Sequence, residues 1–385
     1  MGEGVMKRAN QIFLFILCAC FFGIHINAQT GEGVGDGGRA IEANTRIAGA
    51  DEITDKFQKS AVSIKGSWRL INPATKKQIY HLYVSRKQLA KAGVKVSGDA
   101  EAVPVYVKTA DEYEPILVED EGQHNLIVGA PNYRGIGAIV TTDGFILTVR
   151  RVVSAWNSVF DFVANAPKGI VMSADLKQIL DTNAPPPLNW IPTKTKPRNG
   201  TLGKLNVRIK SSGEYTGVND SLNVRLPGGD LNEWIEARLA QSSTQNDLAL
   251  IKIETPQKLT KIEFYDNFDT LKKGQNVFIV YADLKDAMLG KLTVMTTSVS
   301  EITPQTNEAD KVIRLKSTGD IFGSPASDPQ FPNLREYFKL LSLEWHGSPV
   351  FDNQGRITGI YAGYTWETNL HEVVPIRHAG ELLGK

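Results

Sequence analysis

From about Asp51 onward, short apolar runs alternate with turn-forming residues along the whole chain. "ITDKFQKSAVSIKG" predicts a short helical turn feeding a strand, and "GIGAIVTTDGFILTV" predicts a hairpin around Thr142-Asp143-Gly144. "DSLNVRLPGG" alternates and then turns at Pro-Gly-Gly; "NDLALIKIE" reads as a further strand. "GQNVFIVYA", "GKLTVMTTSVSEI", "KVIRLKS", "GSPVFDNQGRITGIYAG" and "EVVPI" continue the series, and "RHAGELLGK" predicts a closing helix. Many short strands with few amphipathic helices predict an all-β barrel or sandwich. No fixed-period repeat is visible, which argues against a propeller or solenoid. Two stretches, near 70–130 and 157–218, break the rhythm and are too long for ordinary loops. Each is predicted to be an insertion with its own structure. The second contains "NAPPPLNWIPTK", whose prolines predict extended surface chain.

The N-terminus follows a different pattern. Lys7 and Arg8 precede the apolar run "IFLFILCACFFGI", and Ala28 is a small residue at the expected cleavage point. The run is short for a membrane span, so residues 1–28 are predicted to be a secretory signal peptide. A Gly-rich flexible leader is expected over 29–50. An alternative takes "LCAC" as a lipobox, making Cys20 a lipid-anchored N-terminus. Secretion or a periplasmic location is expected, with the lipoprotein as the alternative. Cys18 and Cys20 are the two cysteines of the chain. Cleavage after Ala28 therefore leaves no disulfide and no thiol chemistry.

Composition narrows the partners. Hydrophobic content of 42%, charged content of 22% and a net charge of +1 are ordinary for a globular protein. That balance gives no reason to expect nucleic acid, and a membrane is expected only if Cys20 is lipidated. His81, His124, His371 and His378 have no metal-ligand spacing, so neither metal nor cofactor is expected. Asn199 and Asn219 head glycosylation sequons, relevant only in a eukaryotic secretory pathway.

Three separated segments together resemble trypsin-like serine peptidases, nearest to HtrA-type and glutamyl endopeptidase-like members. "GIGAIVTTDGFILTVRRVVSAW" is similar to the family's Gly-x-Gly hairpin leading to Leu-Thr-x-x-His-Val-Val. "NVRLPGGDLNEWIEARLAQSSTQNDLALIKIE" is similar to the strand pair ending in Asp-Leu-Ala-x-x-Lys, and "WHGSPVFDNQGRITGIYAG" to the Ser-Gly-Ser-Pro-Val-Phe block. "YDNFDTLKKGQNVFIVYA" looks like the first strand of the second barrel. The resemblance implies two six-stranded antiparallel β-barrels, with two insertions and a C-terminal helix. The first barrel is expected over 51–255, and the second barrel with its helix over 256–385.

It also implies a triad in the family's order of base, acid and nucleophile, at positions 151, 247 and 346. Arg151 stands at the base position, where a guanidinium has no acceptor atom for a proton; shifting the register by one gives Arg150 and the same result. Asp247 keeps the acid position and is expected to pair with Arg151 in a partly buried ion pair. An exposed Asp at a strand start is the alternative. His346 replaces the nucleophile, and a neighbouring fixed cation supplies it with no base. Ser348, two residues on, is scaffold in the glutamyl endopeptidases. The oxyanion hole would use backbone N–H groups at Glu344 and His346, and Glu344 replaces a glycine whose conformation a side chain makes costly.

The expected function is a secreted, catalytically inactive peptidase homologue acting as a peptide- or protein-binding or regulatory module. Two alternatives stay open: an active serine-type endopeptidase with a rearranged site, and an envelope or surface interaction protein working through its insertions. "GIYAGYTWET" falls where the family's specificity pocket and peptide-binding edge would be, or is simply barrel and loop.

Overall fold

Strand β1 (Ala61–Ile71) alternates buried and partly exposed residues along most of its length, as a strand with one face on a core does. The computed structural model describes residues 49–384 except 111, 161, 163–165, 211–213, 231, 244, 263, 265–270, 282–292, 304–311, 317–344 and 366–369. These residues belong to one compact unit, Arg46–Lys385. The predicted signal peptide, both cysteines and the leader up to residue 48 lie outside the described residues.

The first barrel is closed by β1, β2 (Gly129–Ile139), β3 (Phe145–Val149), β4 (Thr216–Arg225), β5 (Ile235–Ser242) and β6 (Leu248–Ile253). The second is closed by β7 (Asn276–Tyr281), β8 (Thr293–Thr303), β9 (Val312–Lys316), β10 (Pro349–Asp352), β11 (Ile357–Thr365) and β12 (Leu370–Pro375). All neighbouring pairs are antiparallel. Going round from β1 through β2, the first barrel runs 1-2-3-6-5-4. Going round from β7 through β8, the second has the same order of positions. The turn "FDNQGR" between β10 and β11 is tied by buried Asp352, whose carboxylate accepts from the Gln354 and Arg356 N–H groups at 2.9 and 3.0 Å and from Arg356 Nε at 2.8 Å.

Alternation along β7 divides its residues between two cores. Val277 and Ile279 fill the second barrel with Trp345, Val350 and Tyr361. Phe278 and Val280 face a core shared by both barrels, together with Ile64, Leu147, Ile251, Phe351 and Ile360. Helix α1 (Ala50–Gln58) joins that shared core through Ile53 and Phe57, both fully buried. Phe57 meets Phe351 edge-on at 5.8 Å, and Lys56 Nζ donates to the Gly355 carbonyl at 2.8 Å. Burying each such side chain contributes roughly 1.5–3 kcal/mol. The expected leader boundary at 50 thus falls at the start of α1. The closing helix is shorter than its pattern suggested: a 3-10 turn over Ile376–His378 leads into Ala379–Leu382.

The two predicted insertions do not form two separate structures. Residues 102–108 pair in parallel with 169–172, setting Val105 opposite Ile170. The resulting sheet runs 179–184, 169–172, 102–108, 83–85, with 113–115 also on 102–108. One core holds Leu82, Val103 and Val105 from the first stretch with Ile170, Met172 and Ile209 from the second. Arg198 Nη2 contacts Glu114 Oε1 at 2.8 Å across the two. Co-folding follows from the barrel. Strand pairing places Ile71 opposite Thr216, Arg69 opposite Gly129 and Leu248 opposite Val149. Both stretches therefore leave and re-enter at one end of the first barrel.

The Pro-rich strip also differs from expectation. Leu188 is 80% exposed, yet Trp190 two residues on is buried. Its Nε1 donates to Thr195 Oγ1 at 2.7 Å, and its ring packs on Phe160 and Phe162. That aromatic cluster, continued by Trp68 and Trp156, attaches the insertion body to the barrel.

Candidate functional site

The barrel end that carries the insertion body also carries positions 151 and 247. β3 ends at Val149 and passes into a single helical turn, Arg150–Val153. Asp247 precedes β6, whose Leu248 lies opposite Val149. The ladder therefore brings the two segments together, and Arg150 N–H donates to the Asp247 carbonyl at 3.1 Å. The Asp247 carboxylate accepts from Arg151 N–H at 3.2 Å and from Arg151 Nε at 2.5 Å. Arg150 Nε lies 3.9 Å from the same carboxylate, while its Nη1 donates to the Ser243 carbonyl at 3.1 Å. Side-chain exposure is 37% for Arg151 and 14% for Asp247, so the pair is partly buried. The alternative of an exposed, unengaged Asp247 is excluded. The contact to Nε and the backbone amide fixes the guanidinium in orientation.

His346 lies in the loop before β10 and is 6% exposed. Its carbonyl accepts the Ile136 N–H from β2 at 2.8 Å, so the loop is bonded directly to the first barrel. Gly135 permits this approach: a Cβ there would sit 3.0 Å from the His346 carbonyl oxygen. The imidazole stacks on Tyr361 of β11 at 6.0 Å and 25°. Burial, and then the Arg151 guanidinium, hold its pKa well below the ordinary histidine value. A Cβ built on Gly363 would lie 3.1 Å from Arg151 Nη1 and 3.6 Å from His346 Nε2. Both side chains therefore converge on one point of β11, and the three triad positions meet at the seam between the barrels. Together with the repeated strand order, this decides the architecture. The fold is that of the trypsin-like peptidases.

No known protein family and no curated protein matches the chain in sequence. Among solved structures it is similar to the HtrA-type protease AlgW with decapeptide: 12% identity over 88% of this chain and 67% of that chain, TM-score 0.42. The strand order and the seam geometry, rather than this distant likeness, define the trypsin-like fold here.

The remaining predicted residues are distributed as follows. Gly347 has φ +87°, and a Cβ there would lie 1.9 Å from the Ile136 carbonyl oxygen, so the tight turn after position 346 requires glycine. Ser348 is fully buried, and its Oγ has no hydrogen-bond partner. Among the described residues, no imidazole is within hydrogen-bond reach to activate it. Glu344, expected at the other oxyanion position, lies outside the described residues. Asn219 is occupied inside β4, donating to the Val153 carbonyl at 3.0 Å and accepting from Tyr133 at 3.0 Å. Asn199 is exposed. Among the described residues, no group of three or more His, Cys, Asp or Glu side chains is placed to hold a metal ion.

Two features of the site were not anticipated. Arg150 contributes a second guanidinium next to Asp247, which the doubled "RR" before "VV" could have signalled. Behind His346 runs a buried aromatic chain: Tyr361 Oη lies 3.3 Å from His371 Nδ1, and Trp345 packs on Tyr281 at 4.4 Å. His371 is fully buried, and burial alone lowers its pKa from 6.5 to about 4.

Proposed function

We propose that this chain is a secreted homologue of the trypsin-like peptidases that does not hydrolyse peptides and acts as a peptide- or protein-binding or regulatory module. The observation that carries the reading is the Arg151–Asp247 ion pair standing where the chemistry needs a proton acceptor. A guanidinium cannot take a proton from a nucleophile, and the imidazole beside it is a poor base, its pKa held well below the ordinary histidine value by burial and by Arg151. Ser348 offers no substitute while buried without a hydrogen-bond partner.

Peptide binding is supported by the shape of β11. Among the described residues, its pairing with β10 and the loop before it ends at Tyr361, which bonds Gly347 and Ser348, while pairing with β12 continues to Thr365. The backbone beyond Tyr361 thus offers one side to which an extended peptide can add. Export rests on Lys7, Arg8 and the apolar run that follows; the mature protein is expected to begin at Gln29, with lipidated Cys20 as the alternative.

The test is incubation of the purified mature protein with a fluorophosphonate probe and with casein and peptide panels. No labelling and no turnover are expected. Labelling or turnover abolished by His346→Ala or Ser348→Ala would overturn the reading in favour of an active endopeptidase. A second reading, interaction through the insertions, is favoured by their assembly into one body with its own core. If a partner recovered with the intact protein is lost on substituting the surface of that body, while β11 is untouched, this second reading prevails.

A further inference from the structure

The loop Trp345–Ser348 lies at the seam, with Trp345 set in the core of the second barrel. Its bond to the first barrel is the Ile136 N–H to the His346 carbonyl, 2.8 Å. Its hold on the second barrel is the Gly347 N–H to the Tyr361 carbonyl at 2.9 Å, the Tyr361 N–H to the Ser348 carbonyl at 2.7 Å and the imidazole stack on Tyr361. Among the described residues, the groups facing the imidazole come from each neighbouring element. The turn after β3 presents the Arg151 cation, backed by Arg150 and by Asp247, whose carboxylate is engaged by both. β11 presents the Tyr361 phenol, whose hydroxyl is directed at His371 rather than at His346. β2 presents only Gly135, Ile136 and Gly137 around the shared hydrogen bond, none of them titratable. The loop itself adds Trp345 and Ser348, both buried.

A second positive charge placed in this slot would face the Arg151 guanidinium at close range with little water to screen it. We propose that the loop Trp345–Ser348 is an acid-released latch: proton uptake on the His346 ring drives it out of the slot beside Arg151 and breaks the Ile136–His346 bond across the seam. The sign follows from the geometry. The neutral ring fits and the charged ring does not, so the closed latch is favoured above the ordinary histidine range and lost as pH falls below it. The shared hydrophobic core joins the barrels through Ile64, Leu147, Phe278, Val280 and Phe351, so the two barrels stay joined while the latch opens. This inference is independent of whether the protein hydrolyses peptides.

The experiment is hydrogen exchange of the mature chain, read by mass spectrometry over 133–139 and 345–351 and corrected for intrinsic pH dependence. Protection of Ile136 is expected to fall by up to about tenfold for each pH unit below the onset of protonation, while far-UV circular dichroism is unchanged. His346→Phe keeps an aromatic ring but cannot take a proton, and its protection should not vary with pH. Arg151→Gln removes the facing cation, lets the charged ring stay in the slot, and should shrink the transition. His81→Phe, in the insertion body, should leave it in place. If His346→Phe does not fold, NMR titration of the wild-type histidine rings decides instead, because His346 must titrate together with the loss of protection. Uniform protection down to global unfolding, a wild-type response in His346→Phe, or an undiminished response in Arg151→Gln would each overturn the proposal.

Discussion

At the mouth of the first barrel, Arg150 and Arg151 converge on one carboxylate, with Arg151 37% and Asp247 14% exposed. In the second barrel, which has the same strand order, His346, Tyr361 and His371 are buried, with Tyr361 between the two imidazoles and Trp345 packed against Tyr361 and His371. One barrel satisfies its polar groups by charge pairing near water. The other buries its rings, and burial holds the imidazoles neutral. The difference shows that a shared topology does not fix how a site is stabilised: an ion pair tolerates partial hydration, whereas a dry imidazole ties stability to pH.

The sharpest way to break the comparison is at the loop between the two regions. Gly347→Ala places a Cβ 1.9 Å from the Ile136 carbonyl oxygen at a residue with φ +87°. A loss of more than about 3 kcal/mol in urea unfolding is expected, combining backbone strain with steric displacement. A loss under about 1 kcal/mol would mean that the turn relaxes freely. Next comes the buried histidine. Its pKa of about 4 against the usual 6.5 means that His371 contributes stability fully present above about pH 6.5 and lost as pH falls toward 4. That span amounts to about 3 kcal/mol. His371→Phe should flatten the pH dependence of urea unfolding by roughly that amount. It should not abolish it, because His81, also lowered to about 4 by burial, remains. An unchanged slope would remove the contrast between the barrels. The smallest effect is expected from Asp247→Ala, which leaves two guanidiniums without their carboxylate. Their partial exposure reduces the cost to about 2 kcal/mol, again read by urea unfolding. A larger loss would show that the first site is as dry as the second.

Much of this could be read before any coordinates. Period-two alternation in "GQNVFIVYA" or "NDLALIKIE" marks barrel strands because each strand has an inner face, and the order of "TVRRVV", "NDLALIKI" and "WHGSPVF" locates the site. Motif reading placed Arg151 beside Asp247, since both flank strands that pair directly. What escaped it depends on contacts between distant segments. Nothing local to Val105 or Ile170 announces that they form a parallel pair, so two insertions looked like two structures. The prolines around Trp190 suggested a surface strip, but its packing on Phe160 and Phe162 overrides that local preference. The Tyr361–His371 contact was equally hidden, because both residues lie on strands that read as ordinary barrel wall.

Helix α1 also bears on the order of assembly. Lys56 and Gly355, bonded in the folded protein, are 299 positions apart, and Phe57 finds its partner in Phe351. During synthesis the first barrel emerges well before β10 does, so its N-terminal helix has only part of its docking surface until the last strands leave the ribosome. Closing so long a loop is slow and comes late. The first residues of the folded unit are thus secured among the last, and a chain truncated before β10 would present Ile53 and Phe57 as an unprotected apolar patch for chaperones.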